Sequence, residues 1–392
     1  MDKRHKQLAQ QTGNAVGSRG NDDARASEFW PFIGPALLLD AWRWWLGDRK
    51  PPRDREALSW TTSDTVALEL TTMRLRDFST RDAAQPLLIC APYALHSALI
   101  ADFAPGYSIV EVLRQGGAGR IYVTDWRSAT PDMCHLSIDS YLADLNVAVD
   151  TVGSPVDLAG LCQGGWLSLL YAARFPEKVR RLVLVGAPVD VSRQSPLSGM
   201  AANLPPGAFD ALVSPATGVV SGKQLNSVWS SALNARDNAV KQSFEAANDS
   251  ENLLRRFERW KDETLDLPGV YYVQVSDWIF RENRIAEGRF VALGRQIDPA
   301  RLKVPVFLLV GTEDRVVPAE QALATAKLLG TPRTQVQIAV EPCGHLGLFM
   351  GRDALNRSWR RIAGWLAADE PRRRSDQQAP SDLASATRPK RA

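Results

Sequence analysis

From about residue 86 onward, short apolar runs alternate with longer segments of helical spacing. Pro86–Tyr93, Arg120–Trp126, Val156–Leu161, Arg181–Gly186, Val304–Gly311 and Gln335–Val340 have the length and the Val, Ile and Leu content of strands. Ser108–Gln115, Ile138–Val149 and Gly165–Phe175 carry apolar residues at helical intervals, and Trp359–Ala368 closes the series in the same way. Continuous apolar runs suit strands covered on both faces. With helices between them, they predict an α/β fold, a mostly parallel sheet with helices on both sides.

The alternation breaks between about 190 and 300. That stretch is rich in Ser, Asn and Ala, has scattered aromatics, and shows helical spacing around Val240–Glu258. An insertion of this length between two strands predicts a helical cap or lid. The core is then 85–190 plus 300–368, and the cap is 190–300. Residues 28–84 read as an aromatic N-terminal helical segment, its aromatics concentrated at Phe29, Trp30, Phe32, Trp42, Trp44 and Trp45. Such a helix either packs on the main domain or forms an interfacial patch for a lipid or polymer surface. The ends, 1–27 and 369–392, are polar, lack periodicity and read as disordered.

Composition adds limits. Of 392 residues, 45% are hydrophobic and 23% charged, which excludes a fibrous or wholly disordered chain. The formal net charge of +3 sits in the two ends, so the body between them is slightly acidic. No nucleic-acid partner is expected of such a body. The four cysteines form no CxxC pair, and Cys134-His135 has no second pair at ligand spacing, so no metal is expected. There is no G-x-G-x-x-G after the first strand and no phosphate-binding G-x-x-x-x-G-K, so no cofactor is expected. Phe29–Trp45 is interrupted by Pro31, Pro35, Asp40 and Arg43, which argues against a transmembrane segment. No apolar region of the secretory kind follows the polar N-terminus, so the expected location is cytoplasmic, with reduced thiols.

The chemistry concentrates at Gly160-Leu161-Cys162-Gln163-Gly164-Gly165, between a predicted strand and a predicted helix. This is the setting of a nucleophile elbow, in which a strained turn lifts one side chain above the sheet edge. Here that side chain is a thiol. Further along, Thr312-Glu313-Asp314 leaves one strand, and Glu341-Pro342-Cys343-Gly344-His345 leaves the next. The order nucleophile, acid, histidine assigns Cys162 as nucleophile, Asp314 as orienting acid and His345 as base, with Glu313 an alternative acid. The Gln163 amide at the helix start supplies half of an oxyanion hole. The other half is expected from the loop Pro92-Tyr93-Ala94-Leu95, with Ala94 as the candidate. Tyr93, His96 and Trp166 are candidate substrate-binding residues.

These motifs resemble those of the polyhydroxyalkanoate synthases. Gly160–Gly165 running into Trp166-Leu167-Ser168 is similar to the synthases' G-x-C-x-G-G box, and Asp125-Trp126-Arg127 resembles their strand ending in W-R. Trp260-Lys261-Asp262 and Leu267-Pro268-Gly269 resemble the end of their cap. Asp314 with Val317-Pro318, and Gly344-His345-Leu346-Gly347, resemble their acid and histidine motifs. The resemblance spans roughly 85–365 and implies an α/β-hydrolase fold. It also implies an acyltransferase that polymerises (R)-3-hydroxyacyl-CoA through a cysteine acyl-enzyme. The intracellular polyhydroxybutyrate depolymerases share the Cys–Asp–His arrangement, which leaves ester hydrolysis as the alternative activity. A non-catalytic granule-associated relative is the third reading. The partners implied are an acyl-CoA or polyester substrate, a polyester granule surface and a partner subunit.

Overall fold

The computed structural model describes residues 58–80, 85–193, 195–245 and 247–368, with backbone alone over 228–239. Both ends read as disordered, and the aromatic stretch 28–47, lie outside the described residues.

Among the described residues, eight strands form the main sheet: β1 (Thr65–Glu69), β2 (Met73–Asp77), β3 (Pro86–Cys90), β4 (Arg120–Trp126), β5 (Val156–Leu161), β6 (Val179–Val185), β7 (Val306–Gly311) and β8 (Val336–Glu341). Their spatial order is β1-β2-β4-β3-β5-β6-β7-β8. From β4 to β8 every neighbouring pair is parallel, whereas β1 and β2 join as an antiparallel edge. β3, β5 and β7 are buried at every position, which explains their uninterrupted apolar runs. β8 lies at the sheet edge and alternates, leaving Ile338 and Val340 exposed.

The helices α1 (Ile109–Gln115), α2 (Ile138–Val152) and α3 (Gln163–Arg174) connect the first parallel strands. Ser108 caps α1 by accepting a hydrogen bond from the Glu111 amide at 2.9 Å. α3 is buried from Gly164 through Ala172 on all of its faces, so its sequence reads as apolar almost throughout.

The segment expected to be helical up to residue 84 contains β1 and β2 instead. In Met73–Asp77 the apolar Met73 and Leu75 are fully buried, and Arg74 and Arg76 alternate with them toward ion pairs with Glu69, Asp64 and Asp125. Period-two alternation within five residues is a strand signal, though a short one beside the aromatic pattern upstream.

Between β6 and β7 lies the inserted helical cap: α4 (Pro196–Asn203), α5 (Gly222–Glu245), α6 (Ser250–Asp262) and α7 (Gly269–Gln274), the last running into a π-helical turn, Val275–Arg281. An aromatic seam joins cap to core. Phe103 of the core stacks on Phe244 of α5 with centroids 5.5 Å apart, and Phe244 meets Phe257 of α6 at 5.7 Å. Polar ties flank the seam. The Leu265 amide donates to the Leu95 carbonyl at 2.7 Å, and the Trp260 indole donates to the Ser97 carbonyl at 3.2 Å. Both ties end on the loop after β3, so the cap is anchored at the edge where the predicted site residues emerge.

Candidate active site

Cys162 follows β5 directly and stands at the N-terminus of α3 with φ 50° and ψ −117°, a strained conformation for a residue with a Cβ. Its neighbours allow it. A Cβ on Gly164 would lie 2.1 Å from the Cys90 carbonyl oxygen, and one on Gly160 would lie 2.5 Å from the Gly164 carbonyl oxygen. Both clashes are with backbone, which cannot swing aside. Gly164→Ala should therefore lower stability by about 1–3 kcal/mol or more in urea melts. An unchanged midpoint would show that the turn relaxes without its glycine.

Asp314 and His345 come from the loops after β7 and β8. Nδ1 of His345 lies 2.7 Å from Oδ2 of Asp314, and both side chains are buried. The other carboxylate oxygen, Oδ1, accepts from the amides of Val316 at 2.8 Å and Val317 at 2.9 Å. The acid is thus fixed by its own loop and fixes the imidazole in turn. Glu313, the alternative acid, is exposed. Burial opposes charging of His345, but the Asp314 carboxylate, the Cys162 thiol and the hydrogen bonds to both outweigh it and raise the imidazole to about 10. The ring therefore holds its proton more firmly than a free imidazole.

Above these residues the cap covers a largely apolar cavity of about 150 Å³. Cys162, Gln163, Ala94, His96 and His345 all line it, so most of the predicted residues converge on one space. Gln163 is the first residue of α3, where an amide has no acceptor within the helix. Ala94 precedes Leu95, whose φ of 61° bends the loop at the cavity wall. His96 packs on Trp260 of the cap with centroids 4.5 Å apart.

Tyr93 and Trp166 do not line the cavity. The Tyr93 hydroxyl reaches the carbonyls of Arg127 at 3.1 Å and Asp266 at 3.3 Å, and its ring packs on Trp126, Tyr141 and Tyr271. It ties core to cap beneath the site. Trp166 is 0% exposed, because α3 is wrapped by the core on every side and leaves a large side chain no route to the cavity. Sequence reasoning missed the cap's own contribution. Tyr271, Tyr272 and Ser276 come from α7 and its π-helical continuation, and all three line the cavity. The signal was the pair Tyr271-Tyr272 directly after Leu267-Pro268-Gly269.

No group of side chains suited to a metal ion occurs among the described residues. No helix among them is long and apolar enough to cross a membrane.

A sheet of this order, with a thiol, a carboxylate and a histidine at the exits of β5, β7 and β8, defines a class of protein. Residues 107–351 match the family model described as the alpha/beta hydrolase fold, and the chain belongs to that family. Among curated proteins it is similar to the poly(3-hydroxyalkanoate) polymerase subunit PhaC of Haloferax mediterranei, 27% identical over 84% of this chain and 68% of that protein. The subunits of the same name from Synechocystis and Allochromatium vinosum are each 27% identical over 72% of this chain, and 78% and 81% of theirs.

Proposed function

We propose that the protein is an acyltransferase of the polyhydroxyalkanoate synthase type, polymerising 3-hydroxyacyl groups from their CoA thioesters through an acyl-enzyme on Cys162. The observation that carries this reading is a strained elbow thiol beside a buried His345–Asp314 pair in one apolar, capped cavity. The polymerase names of the relatives support it.

The chemistry follows from the residues. His345 takes the thiol proton, and the Cys162 thiolate attacks the thioester carbonyl. The Gln163 and Ala94 amides face the developing oxyanion. The carbon–sulfur bond to CoA breaks, and the departing thiolate receives the proton from His345. The hydroxyl of a growing chain then gives its proton to His345 while its oxygen attacks the acyl-enzyme. That step forms an ester and frees the Cys162 thiolate. A largely apolar cavity beneath the cap favours this second acceptor over water. The word subunit in the relatives' names supports a partner subunit for this chain as well, and the same proposal places its action at the surface of polyester granules in the cytoplasm.

The test supplies purified protein with 3-hydroxybutyryl-CoA and, separately, with amorphous polyester. CoA release accompanied by chain growth is the expected result. Soluble monomer or oligomer from the polymer, with no CoA release from the thioester, would assign the hydrolase activity instead.

A further inference from the structure

Several polar side chains of the cavity wall have no role in the steps above, those of Tyr271 and Gln163 among them. Tyr271 is 1% exposed, comes from the cap and lines the cavity with Cys162. Its ring is clamped between Tyr93 at 5.2 Å and Tyr141 at 4.7 Å between centroids, so its direction is fixed by packing. Burial first, and then the neighbouring Tyr93, Cys90 and Cys162, keep its phenol protonated far above the usual range. Tyr271 is therefore a permanent neutral donor beside the nucleophile. The second group is the side chain of Gln163, next in sequence to Cys162 and also on the cavity wall. Its carbonyl oxygen, Oε1, is buried and has no hydrogen-bond partner among the described residues. An unmet buried acceptor is costly, so a donor arriving with a ligand recovers that cost.

We propose that the Tyr271 hydroxyl and the Gln163 side-chain oxygen form a recognition site for the 3-hydroxyl of the acyl group bound at Cys162. A hydroxyl is both donor and acceptor, and it fits this pair in both senses. Tyr271 donates to the hydroxyl oxygen, and the hydroxyl donates to Gln163 Oε1. The rest of the cavity is largely apolar and accommodates the hydrocarbon part of the acyl chain. An acyl group without the 3-hydroxyl leaves both protein groups unmatched, which is how a site discriminates against an analogue lacking a polar atom. This inference rests on the acyltransferase reading and adds to it the residues that select the hydroxylated substrate.

The experiment measures CoA release from 3-hydroxybutyryl-CoA and from butyryl-CoA by the wild type, by Tyr271→Phe and by Gln163→Met. The readout is the ratio of the two kcat/KM values, to which loss of folded or active enzyme contributes equally on both sides. The wild type is expected to favour the hydroxylated thioester, and each substitution to lower the ratio by roughly tenfold, the scale of one well-placed hydrogen bond. A preference that survives both substitutions overturns the recognition site and leaves the acyltransferase reading standing. A wild type that releases CoA from neither thioester overturns both.

Discussion

Cys162→Ala leaves a folded protein whose CoA release and chain extension fall by on the order of 10⁴-fold or more, the scale set by removing a nucleophile from a triad. The fold is expected to survive because alanine keeps the Cβ that the φ of 50° already accommodates, and because the glycines at 160 and 164 are untouched. No other thiol is placed to take over. Burial, with the Ser168 and Thr124 contacts too weak to offset it, pushes Cys90 up to about 12. Cys343 is likewise pushed up to about 12 by burial and by the carboxylates of Glu341, Asp314 and Glu313. Neither is a ready thiolate near neutral pH. Cys162 alone among the four cysteines lines the cavity with His345. The check is single-turnover CoA release with matched melting curves for the two proteins. Residual activity within tenfold of wild type would remove the thiol from the mechanism altogether.

The same comparison of residues explains what was readable before the structure. β4 and β5 run over the residues their apolar runs marked, because a central parallel strand buried on both faces leaves an unbroken signature. The positions of Cys162, Asp314 and His345 were readable because they follow the ends of β5, β7 and β8, where the topology brings them to one edge. Three kinds of information were not there. β1 and β2 form an exposed edge whose strands mix charges with few apolar residues, so they carry little weight beside the aromatic pattern before them. The direction of a side chain is set by tertiary packing, and so Tyr93 and Trp166, adjacent to site positions in sequence, turn into the core. The cap was visible as an insertion, yet its composition does not say which helix closes over the thiol. That choice is made by the aromatic seam of Phe103, Phe244 and Phe257 and by the ties to Leu95 and Ser97.

Asp314→Asn separates the role of the acid from that of the thiol. Replacing the carboxylate by an amide of the same shape keeps an oxygen for the Val316 and Val317 amides but removes the charge that holds His345. Activity is expected to fall by about 10³–10⁴-fold, since the imidazole loses both its tautomer and its partner as it becomes imidazolium. Stability carries a second signature. His345 binds its proton more tightly folded, at about 10, than at its ordinary value of 6.5. The folded state therefore holds the extra proton between those values, and the stability it contributes is complete below pH 6.5. It declines as the pH rises from there and is gone above about 10. Burial opposes the charged ring, so without the Asp314 carboxylate the elevation should collapse, and with it most of the slope. Urea melts of wild type and Asp314→Asn at several pH values across that window test the point. The wild type should lose stability with rising pH more steeply than the variant, and parallel curves would mean that the proton on His345 does not depend on Asp314.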